Sequence, residues 1–390
     1  MDAFYKIHRR LLDHRSKHVR RTLMDEIDPT HRFICVRGTR GIGKTSFLLD
    51  YVAEHYRPVA SECLYANLNH FYFSEHTLYD FARAFVERGG ELLLLDQIFK
   101  YPNWSAELRR CYEDFPTLRV IVAASSVMSL SEEADFIKVY DLRGFSFREY
   151  YGFVHNVEHP AYTLNDILMH HEDIASTIVN EQHPAEAFND YLKQGFYPFF
   201  QENEASFGET LVKMMNMTLE VDVVYIHQIE PAYLYKLRKL LYLIASSATN
   251  TANVSTMSKE IGTSRATVMN YLKYLADAGM ITMLYKQGEE YPKKPHRLYL
   301  NNTNIAQALS LHEPQMDDLR KIFLLSHLTP YYDVCAAESN AADFLVEGQY
   351  ALKATDIMRK RGDMSTYFVV DDLTVGHGRQ IPLWLFGFLY

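Results

Sequence analysis

Apolar residues change their spacing near residue 145. Before it, short continuous apolar runs alternate with segments of helical spacing. Arg32–Arg37 (RFICVR), Cys63–Ala66, Glu91–Asp96 (ELLLLD), Arg119–Ala124 (RVIVAA) and Phe136–Leu142 read as strands. Ser46–His55, Leu78–Glu87 and Trp104–Phe115 read as the helices between them, with Gly89-Gly90 breaking the second. Strands without polar alternation are covered on both faces, so the pattern predicts a doubly wound parallel sheet. After Phe145 the chain reads as mostly helical to 225, with breaks at Pro160, Pro184, Gly195 and Pro198, and helical again from 232. Strand candidates follow at Met280–Tyr285 and Arg297–Leu300. A final mixed segment has a helix at Met316–Leu328 and strands at Asp343–Val346, Tyr350–Lys353 and Thr366–Val370.

A chain of 390 residues with 48% hydrophobic and 23% charged residues is a multi-domain globular protein, which excludes a largely disordered chain. No apolar run approaches the ~20 residues of a membrane span. The N-terminus, MDAFYKIHRRLLDHRSKHVRR, lacks the apolar core of a secretory signal. Cys35, Cys63, Cys111 and Cys335 lie far apart, which fits reduced cytoplasmic thiols and excludes a disulfide scaffold. Net charge is −9, but residues 232–300 carry a local +6 and leave −15 elsewhere. That asymmetry marks a candidate nucleic-acid surface or a solvated basic face.

The strand Arg32–Arg37 runs into Gly38-Thr39-Arg40-Gly41-Ile42-Gly43-Lys44-Thr45, which matches G-x-x-x-x-G-K-[ST] in full and leads into a helix. The glycines let the backbone wrap a phosphate chain. The N–H groups from Gly38 to Ser46 and the helix N-terminus point at the anion. Lys44 reaches the outer phosphates, and Thr45 supplies a hydroxyl to Mg²⁺. Asp96, at the carboxyl end of a buried strand, is the second candidate to hold Mg²⁺. Gln97 follows it. An amide orients water but accepts no proton, which predicts ATP binding with slow turnover unless another group serves as base. Ser125 and Ser126 end the fourth strand, where a polar group would sit beside the γ-phosphate.

These runs, RGTRGIGKTSFLL, LLLLDQIFKYPNW, VIVAASSVMSL and DLRGFSFREYYGF, resemble the prokaryotic AAA-type ATPases that carry a C-terminal domain of unknown function. The family's second motif is D-E-[IV]-[HQ]-[KR]-Y-x-x-W, with Glu where Gln97 stands, and its third is G-S-S, with Gly where Ala124 stands. The resemblance implies Ser125 as a nucleotide sensor and Arg143 or Arg148 as a charge near the phosphates. It implies an ATPase domain over 1–146 and a helical lid over 147–230. A winged helix-turn-helix over 231–300 and a small α/β nuclease-like domain over 301–390 complete it.

FNDYLKQGFYPFF resembles a family motif that is structural. In the winged segment, Met257–Ile261 reads as a first helix, Gly262 as the turn and Ser264 as the cap of a second helix. That helix turns Arg265, Thr267, Asn270 and Lys273 outward toward a nucleic acid or a protein. QGEEYPKKP, with Lys293 and Lys294, would be the wing. At the C-terminal end Asp343 and Lys353 match a nuclease pattern, but Ala351 stands where an acid is needed. The domain therefore reads as inactive unless Glu338 or Glu347 substitutes.

The leading expectation is an ATP-binding, slowly hydrolysing switch with Lys44, Gln97, Ser125 and Arg143 in the reaction. An ATP-driven nuclease and a non-hydrolysing interaction protein are the alternatives. DNA, a protein partner and self-assembly stay open. His155 and His159, with His170-His171 after them, read as solvated histidines and not as metal ligands.

Overall fold

The computed structural model describes residues 1–14, 19–56, 61–128, 130, 135–202, 204–247, 250–310, 312–356 and 365–390. The chain forms two compact units, Met1–Arg143 and Gly144–Tyr390. The cysteines are free and buried. Among the described residues no helix is long and apolar enough to cross a membrane.

The first unit runs α1 (Asp2–Asp13), α2 (Leu23–Glu26), β1 (Phe33–Gly38), α3 (Lys44–His55), β2 (Cys63–Asn67) and α4 (Leu78–Val86). It continues through β3 (Leu92–Asp96), α5 (Trp104–Asp114), β4 (Arg119–Ser125) and β5 (Lys138–Asp141). The strands form one parallel sheet in the order β2-β3-β4-β1-β5. Every residue of β3 is buried, as a continuous apolar run requires of an interior parallel strand. The expected fifth strand shortens to four residues with a half-exposed pattern, because β5 is the edge. The sheet order places β4 between β1 and β3, so the carboxyl ends of β1 and β3 flank one crevice.

The second unit opens with α6 (Phe147–His155), α7 (Leu164–Glu181), α8 (Ala185–Asp190), α9 (Phe207–Met217) and α10 (Val224–Ile226). Then come α11 (Leu234–Ala245), α12 (Val254–Glu260), α13 (Arg265–Asp277), β6 (Ile281–Leu284), β7 (Arg297–Leu300), α14 (Thr303–Leu309) and α15 (Met316–Leu328). It closes with β8 (Val334–Ala336), β9 (Phe344–Val346), β10 (Tyr350–Thr355), β11 (Thr366–Val370) and β12 (Gln380–Pro382). The last five strands form a sheet in the order β12-β11-β10-β9-β8, antiparallel from β8 to β10 and parallel from β10 to β12.

The segment Tyr191–Gly195 is a π-helical turn, whose wider winding withdraws carbonyls from the α-helical ladder. Asn304, fully buried at the start of α14, hydrogen-bonds to this turn. Its Nδ2 donates to Tyr191 O and Leu192 O at 3.0 and 3.1 Å, and its Oδ1 accepts from Phe196 N at 2.8 Å. A Cβ on Gly195 would meet the Tyr191 ring at 2.4 Å. The run FNDYLKQGF is therefore a structural element, as expected.

His155 and His159 are partly buried and not fully solvated. Both rings pack on Tyr151, with centroids 4.6 and 5.6 Å away, and the Nε2 of each is buried without a hydrogen bond, that of His159 lying 3.6 Å from Glu181 Oε2. Aromatic surface nearby draws the rings inward against their polarity, and burial pushes both below the ordinary histidine value. His170 interrupts the helical geometry of α7, while His171 is buried.

The core of this unit is aromatic. Phe147 meets Phe188, Tyr191 and Phe388 edge-on at 5.1–5.8 Å, and Phe188 meets Phe323 at 4.9 Å. His327 lies inside it with no exposure. Its Nδ1 donates to Phe323 O at 3.0 Å, and its Nε2 accepts from Phe147 N at 3.4 Å, a pattern that needs the neutral ring. Burial pushes His327 down to about 4 from 6.5. The unfolded chain then binds the proton more readily, so this contribution is complete above pH 6.5 and is lost as pH falls toward 4. We expect wild-type melting temperature to fall across that window. In His327→Gln the fall is shallower by up to one proton's worth of slope, about 1.4 kcal/mol per pH unit. Equal slopes in the two pH-resolved melting series refute this.

Candidate nucleotide site

β1 delivers Gly38 to the mouth of the crevice, and α3 begins six residues later at Lys44. Gly41 and Gly43 have φ of 84° and 88°, left-handed conformations that make the turn. A Cβ on Gly38 would stand 2.3 Å from Ile42 Cδ1 and 2.5 Å from Leu142 O, so the loop closes only over glycine there. Thr39, Arg40 and Gly41 are partly exposed and Ile42 is buried. Lys44, Thr45 and Ser46 form the first turn of α3, where backbone N–H groups have no helical acceptor. Lys44 Nζ donates to Gly38 O at 2.8 Å and Thr39 O at 2.6 Å, which brings its charge over the loop.

Asp96 ends β3, with 6% of its surface exposed. Its Oδ2 accepts from Thr45 Oγ1 at 2.7 Å, joining residues 51 apart in sequence. The same Oδ2 accepts from Tyr65 Oη at 2.8 Å, and Oδ1 accepts from the Gln97 N–H at 2.8 Å. Gln97 takes φ 57° to turn that N–H back on the carboxylate. A hydroxyl and a carboxylate held side by side are a hard-oxygen donor set that fits Mg²⁺.

Ser125 pairs in register with Gly38 across β4 and β1 and is buried. The next N–H, of Ser126, donates to Gly38 O at 3.1 Å, and Ser126 Oγ is buried with no partner. Both serines thus stand at the start of the glycine loop. Arg143 closes the first unit, and its carbonyl accepts from Arg21 Nη2 at 2.5 Å. Arg148 lies in the second unit, where its Nε and Nη1 donate to the backbone oxygens of Tyr390 and His159.

Sequence reading missed two residues. Arg21, 6% exposed, donates from Nη1 to Ile42 O at 3.1 Å and so ties the glycine loop to the Arg143 carbonyl. Tyr65 is the other. Both come from outside any motif, and the alternation of apolar residues gives no sign of either contact.

In the basic segment, α12 and α13 are joined by a turn with Gly262 at φ 62°, and β6 pairs antiparallel with β7. Ser264 caps α13 through Thr267 N, as expected. Val268, Tyr271, Leu272 and Leu275 form the buried side of α13. Arg265 and Asn270 are exposed, the latter accepting from Tyr291 Oη at 3.0 Å. Thr267 Oγ1 is 2.9 Å from Ser264 Oγ, and Lys273 pairs with Asp277 at 2.6 Å. Lys293 and Lys294 are exposed on the connection between β6 and β7.

At the C-terminal sheet, Asp343 accepts from Lys353 Nζ at 3.1 Å and from the Ala354 N–H at 3.0 Å. Glu347 is committed elsewhere, its Oε1 accepting from Asp333 N at 2.7 Å. No cluster of three or more metal-type side chains occurs among the described residues.

The family model described as an AAA domain matches residues 30–151, and one described as a domain of unknown function (DUF8612) matches residues 185–333. An uncharacterized protein of Methanocaldococcus jannaschii is 24% identical over 275 residues. The match takes in 65% of this chain and 57% of that protein, so the chain spans little more than half of this relative's length. A STAND signal transduction ATPase with a tetratricopeptide repeat sensor from Pyrococcus horikoshii is similar at 12% identity and TM-score 0.31. That alignment covers 81% of this chain and 46% of the other. The PCH-2 protein of C. elegans gives 17% identity and TM-score 0.23, over 38% of this chain and 42% of the other. Scores of this size leave the fold to be judged from the sheet and the family match. On those two grounds residues 30–151 are an AAA-type domain built on a five-stranded parallel sheet.

Proposed function

We propose that the first unit binds Mg-ATP at the loop between β1 and α3 and hydrolyses it slowly. In this reading the bound nucleotide acts as a switch for a winged-helix module in the second unit. One observation carries the nucleotide assignment: Thr45 Oγ1 and Asp96 Oδ2 meet at 2.7 Å beside the glycine loop. The N–H groups from Gly38 to Ser46 would cradle the phosphates. Lys44 would turn its ammonium from the loop carbonyls to the outer phosphates. Thr45 and Asp96 would hold Mg²⁺, which when bound neutralises charge on the phosphate oxygens. Ser125 and Ser126 stand where a γ-phosphate would be sensed, and the unpartnered Ser126 Oγ is the donor with a bond to spare. Arg143 remains a candidate charge for the phosphates.

Lys44→Ala should abolish Mg-ATP binding by calorimetry of the folded protein. Retained affinity would sink the assignment.

Gln97 governs the rate in this reading. Its amide holds water without accepting a proton, so attack on the γ-phosphate lacks a base. Gln97→Glu should raise steady-state phosphate release by on the order of 10²-fold and leave ATP affinity within about twofold, because the gain falls in the transition state. Fast turnover in wild type with no gain in the variant would place the base elsewhere.

The helix-turn-helix reading rests on α12, the Gly262 turn, the capped α13 and the β6–β7 pair, with the local +6 charge. We favour duplex DNA as its ligand, through Arg265, Thr267, Asn270 and Lys273. The C-terminal sheet takes no catalytic part in this reading, since Ala351 supplies no acid and Lys353 neutralises Asp343. DNA affinity should fall as salt rises, through counterion release, and Arg265→Ala should cost about 1–3 kcal/mol in fluorescence anisotropy. No binding at low salt, with and without ATP, would make this module a protein-binding one.

A further inference from the structure

Tyr65 belongs to no nucleotide-binding motif, yet its hydroxyl is 2.8 Å from the carboxylate that would hold the metal. Three donors converge on Asp96. Thr45 Oγ1 and Tyr65 Oη both donate to Oδ2, and the Gln97 N–H donates to Oδ1. With both oxygens engaged, the carboxylate cannot turn about its own axis without breaking a bond. Thr45 is then held with its hydrogen toward Asp96 and its oxygen lone pairs turned away from it.

Tyr65 is itself fixed. It lies in β2, in register with Leu94 of β3, and is 5% exposed. Its backbone N–H donates to His8 Nδ1 of α1 at 3.3 Å. Burial pushes His8 down to about 4, so the ring stays neutral and can accept at ordinary pH. The Tyr65 hydroxyl donates to Asp96 Oδ2, so the ring is held at both its backbone and its tip.

We propose that Tyr65 is a positioning residue for the magnesium site: it locks the Asp96 carboxylate in the orientation that serves Thr45 and the metal. The proposal rests on the nucleotide reading above. Groups that orient a metal-holding carboxylate typically contribute 10–100-fold to metal affinity.

The test uses the full chain and a fluorescent non-hydrolysable ATP analogue, with dissociation constants measured in EDTA and in saturating Mg²⁺. The ratio of the two is the gain that Mg²⁺ provides. Tyr65→Phe keeps the ring and removes only the hydroxyl. It should reduce that gain about tenfold while the EDTA value stays within about twofold of wild type. A purely structural tyrosine would weaken both equally. The double substitution supplies the control: if Tyr65 acts through Asp96, Tyr65→Phe adds nothing in an Asp96→Asn background.

An unchanged Mg²⁺ gain overturns the proposal. So does an equal loss in EDTA, or an additive effect in the Asp96→Asn background. Failure of the underlying reading shows differently: wild type itself would not bind the analogue in either condition, and both assignments would fall together.

Discussion

A buried carboxylate must be satisfied, and Asp96 sets that demand for the whole first unit. With 6% exposure it has little water to rely on, so its oxygens must find protein donors. The three that serve it come from different places: the first turn of α3, the middle of β2, and the peptide just after β3. Each constrains the fold. The α3 donor requires the glycine loop to close tightly, hence no Cβ on Gly38. The β2 donor requires β2 beside β3 in one register. The peptide donor requires the left-handed backbone of Gln97. The sheet order, with β1 and β3 separated by β4, leaves room for these donors to meet at one crevice.

The parts of the site that are contiguous in sequence were legible there. Eight residues from Gly38 to Thr45 carry their own geometry, because the loop is determined by neighbours in the chain. Asp96 was legible because a carboxylate ending an unbroken run of leucines is conspicuous. Arg21 and Tyr65 were not. Arg21 lies in a basic stretch that reads as surface, yet its guanidinium is buried on the carbonyls of Ile42 and Arg143. Tyr65 sits in a strand as any aromatic would, and only its register against β3 brings its hydroxyl to Asp96. Contacts set by pairing between distant strands leave no periodicity to read.

The second unit shows the same limit in another form. Spacing located β6, β7, β9, β10, β11, α15 and the capped helix that starts at Arg265, but it missed the three-residue strands β8 and β12, which are too short to show a period. His155 and His159 were read as solvated because polarity was weighed without the aromatic neighbours, while His170 is exposed as that reading has it. His155 and His159 pack on an aromatic ring, as does His327, and such contacts accommodate imidazole at the expense of its charge. A chain with 28 tyrosines and 23 phenylalanines offers such faces widely. Asn304 illustrates the opposite outcome, a buried polar side chain whose amide nitrogen and oxygen both bond to the π-helical turn and the residue after it.

Two positions depart from the motifs that the sequence resembles: Gln97 follows Asp96 where those motifs carry Glu, and Ala351 stands in the C-terminal stretch where they carry an acid. What remains at each is organised for holding a charge. Asp96 is braced by three donors, while Asp343 is balanced by Lys353 and the Ala354 N–H. Loss of a proton acceptor lowers turnover without removing binding, because ground-state contacts to phosphate and metal do not depend on it. On the proposal that the first unit binds Mg-ATP, Gln97 would lengthen the life of the bound state at the expense of speed, which is the property a nucleotide-dependent switch requires.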